Sequence, residues 1–247
     1  MPPIRKGDGT PVEPKGVSQI RTGDGRILFD GVATPDSTFD QTLHQWYFDE
    51  GENQSFADAV GDASGSLNFD RWDGSGDWVG GFAPDFSDDD DEGIVDSDQE
   101  NTGDTGLLVT TVYFNQFNTA GNNYIWSHGD TSGDNRLRLT HTDDNKATVH
   151  LAADATIESD FEFSTETRYR FGISWDDGDY ETYVDGEVID SGTYGGSLDD
   201  ITTELWTWGF DDGSGNPVNA IIDNTIIADQ PGSENEWQDD YDAQPWS

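Results

Sequence analysis

Trp206 and Trp208 are two residues apart, so on an extended strand both indoles project from the same face. Tyr194 precedes them in a Gly-rich loop, and Trp72 and Trp78 sit in a stretch rich in Asp and Gly. Aromatic faces flanked by polar groups can stack on sugar rings and hold their hydroxyls. Core packing is the ordinary alternative for Trp206 and Trp208, and Trp72 and Trp78 can instead cap a sheet edge. A second set of candidates is cationic. Arg136 alternates with Arg138, and Arg168 with Arg170, so each pair projects from one face of its strand. Such pairs serve either as local salt bridges or as a site for anionic glycans, sulfated or uronic.

Several catalytic patterns are missing. There is no nucleophile elbow of the Gly-x-Ser-x-Gly kind, no Gly-x-x-x-x-Gly-Lys phosphate loop and no cysteine. His44, His128, His141 and His150 are scattered; His141 and His150 fall on neighbouring strands of a hairpin but out of register, which suits rim or wet-face histidines better than a zinc pair.

The elements that must position these side chains are strands. Short segments alternate apolar and polar residues between Gly/Asp/Asn/Ser clusters: 107–114, 123–128, 136–142, 147–152, 168–175, 180–184, 187–190, 205–210 and 220–228. The turns Asp143-Asp144-Asn145-Lys146, Asp176-Asp177-Gly178-Asp179 and Asp185-Gly186 join consecutive strands as hairpins. In 168–175, Tyr169, Phe171, Ile173 and Trp175 share one face, with Arg168, Arg170 and Ser174 on the other. One buried and one wet face per strand predict two sheets packed face to face, and no segment has a useful helical period.

Several motifs resemble laminin G-like domains of the concanavalin A-like lectin/glucanase superfamily. His44-Gln45-Trp46-Tyr47-Phe48-Asp49-Glu50-Gly51 is similar to the opening strand, and Gly81-Phe82-Ala83-Pro84-Asp85-Phe86 to the next. Arg168–Asp176 followed by Tyr183-Val184-Asp185-Gly186 is the most specific match, and Ala220–Ile227 resembles the closing strand. The resemblance covers residues 41–230 and implies an all-β, two-sheet antiparallel jelly-roll sandwich. It also implies a calcium ion at a sandwich edge, which takes six to eight oxygen ligands. Asp49 and Asp223, at the ends of the first and last matched strands, are one candidate set; Asp85 with Asp88 and the acidic run through Glu92 is another. Diffuse Na⁺ or K⁺ association is the alternative, and no cofactor is required. The superfamily's retaining glucanases use a Glu-x-Asp-x-Glu strand, and Glu158-Ser159-Asp160-Phe161-Glu162 has that spacing; among 52 acidic residues one such run is weak evidence, and a non-enzymatic protein is expected.

Charge bounds the setting. Acidic residues outnumber basic ones 52 to 11, for a net charge of −41. Such self-repulsion is screened in concentrated salt, as in an extreme halophile or a virus that infects one. A disordered acidic chain is excluded by 9 Trp, 13 Phe and 8 Tyr. The absence of a basic stripe argues against nucleic acid, and no apolar run reaches the roughly 20 residues of a membrane span. Residues 1–40 read differently. Within 1–30, Arg5, Lys6, Lys15, Arg21 and Arg26 face Asp8, Glu13, Asp24 and Asp30, and Ile4–Gly9 is echoed by Ile20–Gly25. This near-neutral, Pro-rich segment is expected to be a docking arm, with a floppy leader as the alternative. Residues 231–247 interleave Trp237, Tyr241 and Trp246 with acids and are expected to pack on the sandwich or on a neighbour.

No export signal is evident at the N-terminus, whereas laminin G-like modules mostly act outside cells. A virion protein reconciles the two. The expected function is a lectin-like structural protein at the surface of a haloarchaeal-type virus (capsid decoration, turret or tail fibre), made in the host cytoplasm. It is expected to dock to other virion proteins through its arm, to form homo-oligomers and to contact host surface glycans. A cellular carbohydrate-binding or adhesion protein is the first alternative, and a glycan-degrading enzyme the second.

Overall fold

The computed structural model describes residues 38–39, 41–48, 51, 54–61, 63–74, 78–87, 93–96, 103–117, 123–129, 136–142, 144–152, 155–198, 205–209 and 216–246, together with strands at 19–21 and 27–30. For 19–21, 27–30, 94–96, 136, 205–207 and 216–217 the description is of the backbone. Asp49, Asp88 and the rest of the acidic run to Glu92 lie outside the described residues.

The strands are β1 (Gln19–Arg21), β2 (Ile27–Asp30), β3 (Thr42–Trp46), β4 (Ser55–Phe56), β5 (Gly65–Leu67), β6 (Trp72–Asp73), β7 (Ala83–Phe86), β8 (Gly93–Asp96), β9 (Thr105–Gln116) and β10 (Asn123–Gly129). They continue with β11 (Arg136–His141), β12 (Lys146–Leu151), β13 (Ala155–Glu162), β14 (Arg168–Asp176), β15 (Asp179–Val184), β16 (Glu187–Thr193), β17 (Leu205–Trp208), β18 (Asn216–Pro217) and β19 (Asn219–Ala228). A 3₁₀ turn spans Val79–Gly81, and one α-helix, α1, spans Glu234–Asp242.

One sheet runs β16-β15-β14-β9-β19-β7-β6, with β3 also paired to β19. The other runs β13-β12-β11-β10-β17-β8-β5-β4, with β18 beside β10. Pairing within both is antiparallel except between β10 and β18. β1 and β2 pair only with each other among the described residues. The alternation that predicts β14 now has its cause: Tyr169, Phe171, Ile173 and Trp175 meet Leu137, Leu139, Val149 and Leu151 of the opposite sheet in one core. Each large apolar side chain so buried contributes about 1.5–3 kcal/mol. The two Asp-Gly turns close through consecutive positive φ angles, 46° and 99° at Asp177-Gly178 and 53° and 82° at Asp185-Gly186, the type I′ geometry that matches strand twist.

The expectation of one wet face per strand fails in the middle of the first sheet. β9, β14 and β19 are buried along almost their whole length. The cause is α1, the helix that the sequence reading lacks. Ser233 and Glu236 close a capping box at its start. Trp237 then lies flat on Tyr183 (ring centroids 4.0 Å, 13°) and packs edge-on to Phe39, over Leu107, Val109 and Ile226. Gly172 of β14 makes room for it: a Cβ there would stand 2.6 Å from the Trp237 ring. The molecule therefore has a second, smaller core outside the sandwich.

Candidate functional site

Four strands of the first sheet share one cross-strand row on its outer face. Arg168 (β14) stands opposite Tyr113 (β9), Tyr113 opposite Ile221 (β19), and Ile221 opposite Asp85 (β7). At the usual spacing of roughly 4.8 Å the row is about 14 Å long. Trp78, carried in by the 3₁₀ turn, lies over it, edge-to-face with Tyr113 at 6.2 Å. The result is a cleft of about 490 Å³ lined by Trp72, Asp73, Trp78, Asp85, Tyr113, Asn115, Arg168 and Ile221.

Each wall is fixed by its own bonds. The Trp78 indole Nε1 donates to Asp73 at 2.8 Å. Asn115 donates to the Asp85 carboxylate at 3.0 Å, and Arg71 Nε to the Asp85 carbonyl at 3.1 Å. Burial raises the Asp85 carboxyl above the usual range, outweighing the Arg71 charge and the bonds from Asn115 and Ser87. Beneath the turn, Asp223 is fully buried and accepts from the backbone N–H of Val79 (2.9 Å) and of Asn224 (2.7 Å). It thereby ties the turn that carries Trp78 to β19. Its burial pushes its carboxyl well up, against those two N–H donors and the charges of Arg170 and Arg168.

Arg168 is the cation of the cleft. Its guanidinium carbon lies 4.0 Å above the Trp78 ring and 5.3 Å from that of Trp246, which the C-terminal segment brings back over the sheet. No hydrogen-bond acceptor or carboxylate partner meets Arg168 among the described residues, and its buried Nε has none. Its neighbour Arg170 behaves differently. It makes a bidentate pair with Asp240 of α1 at 2.6 and 3.2 Å, and donates further to Thr111 and to the Asn224 carbonyl, all of it buried.

The remaining candidates lie elsewhere. Trp72 is half-buried, packing partly on the main core while lining the cleft. Trp208 is fully buried, edge-on to Trp46, Phe48 and Phe56, with its Nε1 donating to Thr225, so its ring offers no face to a ligand. Trp206 is placed by its backbone opposite His128. Tyr194 belongs to the core. Arg138, on the second sheet, is buried with Nε bonded to Ser127 and its guanidinium over Tyr124, while Arg136 is placed by its backbone opposite Gly129. The two arginine pairs are thus on different sheets and form no common site. Of the calcium candidates, Asp85 and Asp223 accept from protein donors, Asp49 and Asp88 lie outside the described residues, and no group of three or more His, Asp or Glu side chains gathers among the described residues. Tyr113, Asn115 and Asp73 are cleft residues that the sequence reading misses. The outward alternation of β9 carried a signal for Tyr113 and Asn115.

A second hollow of about 490 Å³, lined by Trp175, Asp176, Asp179, Tyr180, Glu181 and smaller residues near the open edge of β16, has no cation in its wall. His44 and Asp58 form the other polarised pair, Nδ1 to Oδ2 at 2.5 Å. Asp58 also accepts from the backbone N–H groups of Gln45, Val60, Gly61 and Ala63, which pins the loop after β4 to β3.

No protein-family model and no curated protein sequence matches the chain. Solved structures do. The Trypanosoma rangeli sialidase in complex with the inhibitor DANA is similar at TM-score 0.63 and 12% identity, over 92% of this chain and 35% of the sialidase. The botulinum neurotoxin serotype D binding domain is similar at TM-score 0.62 and 13% identity, over 83% of this chain and 51% of that one. Domain 4 of AbnA, an extracellular arabinanase from Geobacillus stearothermophilus, in complex with arabinotriose, gives TM-score 0.59 and 12% identity, over 81% of this chain and 98% of that domain. The chain spans about a third of the sialidase and half of the toxin chain. At these identities the likeness is one of fold, and the chain has the antiparallel β-sandwich architecture that these lectin- and glycosidase-like structures share.

Proposed function

We propose that this chain is a non-enzymatic, lectin-like β-sandwich that binds a glycan in the Trp72–Trp78 cleft. The observation that carries this reading is the cleft itself, where the half-buried Trp72, Tyr113, carboxylates, an amide and a guanidinium converge around one cross-strand row, with Trp78 buried in the wall. The similar arabinanase domain holds arabinotriose, and a similar sialidase structure holds 2,3-difluorosialic acid, which supports a sugar as the ligand class. A binding role is favoured over hydrolysis because the cleft carboxylates Asp73 and Asp85 are each engaged by protein donors, and because Glu158, Asp160 and Glu162, whose spacing matches a glucanase strand, stand exposed on the edge strand β13 outside the cleft. Binding to immobilised oligosaccharides at about 3 M salt tests the reading. Trp72→Ala is expected to weaken binding roughly tenfold with the fold intact; equal binding by the variant would overturn it, and turnover of any bound glycan would overturn the non-enzymatic part.

The finer proposal is a laminin G-like surface protein of a halophilic virus, docked to other virion proteins through residues 1–40, oligomeric, and exposed on the particle to host glycans. Support comes from the −41 charge and from the separately paired β1–β2 segment in a near-neutral arm. In this reading neither a cofactor, a nucleic acid nor an inserted membrane segment is needed, and Na⁺ or K⁺ associates diffusely with the acidic loops. Many copies on one particle would raise avidity by roughly 10²–10⁴. Co-purification with virus particles at high salt is the expected result, and a protein found only in uninfected cells would favour the cellular adhesion alternative.

A further inference from the structure

We propose that Arg168 is the anion-binding group of the cleft, and that the glycan it selects carries a carboxylate or sulfate substituent. The inference rests on the cleft being the glycan site and names the chemistry of its ligand. In a chain with 52 acidic residues, basic side chains are expected to be paired, and of the basic residues whose side chains are described, all but Arg168 meet an acceptor. Lys146 meets Glu158 and Asp160, Arg170 meets Asp240, Arg71 reaches the Asp85 carbonyl and Arg138 reaches Ser127. Arg168 alone among these has no acceptor among the described residues.

What holds it differs from what it can bind. The indoles of Trp78 and Trp246 contact the guanidinium at 4.0 and 5.3 Å, and the first is close enough for a strong cation–π contact. The rings offer the guanidinium no oxygen acceptor, and its N–H donors form a planar fork that matches the two oxygens of a carboxylate or sulfate. Nearby carboxylates do not compete for it: Asp73 is held by the Trp78 N–H, Asp85 by Asn115, and Asp223 by the backbone. Asp85 stands three strands away at the far end of the row, about 14 Å by strand spacing. The cleft is therefore bipolar. Its Asp73/Asp85 end accepts sugar hydroxyls and its Arg168 end receives the acid group, over a length greater than one sugar ring. A short-range bidentate contact of this kind also survives concentrated salt better than diffuse steering does.

The test uses the full chain at about 3 M salt with three matched probes: a uronic-acid oligosaccharide, its neutral carboxyl-reduced counterpart, and a sulfated form of the neutral one. The full chain is expected to bind both acidic probes roughly ten- to hundredfold more tightly than the neutral one. Arg168→Gln should abolish that preference, so that the variant binds acidic and neutral probes equally, and Arg168→Lys should recover only part of it because the fork is lost. Tryptophan fluorescence and circular dichroism establish that both variants fold. Equal affinity for acidic and neutral probes, or a preference that persists in Arg168→Gln, overturns the assignment while the cleft remains a glycan site. Binding of none of the probes overturns the assignment together with the glycan reading.

Discussion

The Asp58 carboxylate accepts from His44 and from four backbone N–H groups, and its acidity follows from that count. Burial alone would raise its pKa, but the His44 bond and the backbone donors outweigh burial and hold it at about 2, below the ordinary 3.8. A carboxyl depressed in the folded state contributes stability that is fully present above pH 4 and is lost as pH falls from about 4 to 2. The amount is on the order of 2 kcal/mol. Asp58→Asn is therefore expected to destabilise the protein at pH 6 and to flatten its acid-unfolding profile below pH 4, read by thermal melts across pH at fixed salt. Asp223 has the opposite sign, since its raised carboxyl makes stability fall as pH climbs through and above 3.8, so a parallel flattening by Asp223→Asn in the same acid window would contradict the assignment to Asp58. Single residues of the cleft were only half legible in the sequence. Trp72, Trp78, Asp85 and Arg168 could be named as loop tryptophans, as a candidate ion ligand and as one of an alternating arginine pair. That they meet could not, because it depends on the register of β14, β9, β19 and β7. The Trp208 ring looks no different in sequence from that of Trp72, yet it fills the core; a residue's type carries no information on which sheet face points inward.

At the scale of elements, alternation made nine strands readable, since period two survives wherever one face is packed against the opposite sheet. The two- and three-residue strands β4, β5, β6 and β18 are too short to show a period. Helix α1 was hidden for a different reason. Its buried residues are Trp237 and Asp240, the second of them charged, so no apolar stripe announces it. The helix is held by one large ring and one ion pair rather than by an amphipathic face. Trp237→Ala is accordingly expected to cost about 3–5 kcal/mol and to uncover Leu107, Val109 and Ile226, measured as a lower melting temperature and as dye binding to apolar surface. The loss should reach function too. Trp246 follows the helix and contacts Arg168, so loosening the helix should weaken acidic-glycan binding without touching the cleft directly. Full retention of both stability and binding would show that the C-terminal segment only rests on the sheet.

Over the described residues, the main core between the sheets and most of the charges are kept apart, with Arg138, Arg170, Asp223 and Asp240 the buried charged groups. The main core joins both sheets through aromatic and aliphatic side chains, while the acids stand on rims and edges: the edge strand β13 exposes Glu158, Asp160 and Glu162, and β16 exposes Glu187. Charged edges prevent strands of neighbouring copies from pairing, so the same acids that oppose compaction also keep the sandwich from aggregating. Which effect dominates depends on screening. At 0.1 M salt the Debye length is about 10 Å, long enough for rim carboxylates on adjacent strands to repel one another; at 1 M it is about 3 Å, and that repulsion is nearly gone. The buried Arg170–Asp240 pair is screened far less, because bulk ions do not reach it. Raising salt should therefore relieve the surface repulsion while leaving the main internal ion pair in place, and stability should climb with salt. Melting followed by circular dichroism from 0.1 to 3 M salt is expected to show a steady rise in midpoint, with β-structure partly lost at the low end. The same experiment on Trp237→Ala should give a parallel curve shifted down, since packing and surface repulsion are independent contributions. A midpoint that does not move across that range would mean that −41 charges are already compensated locally, and would remove the physical basis for assigning this protein to a high-salt environment.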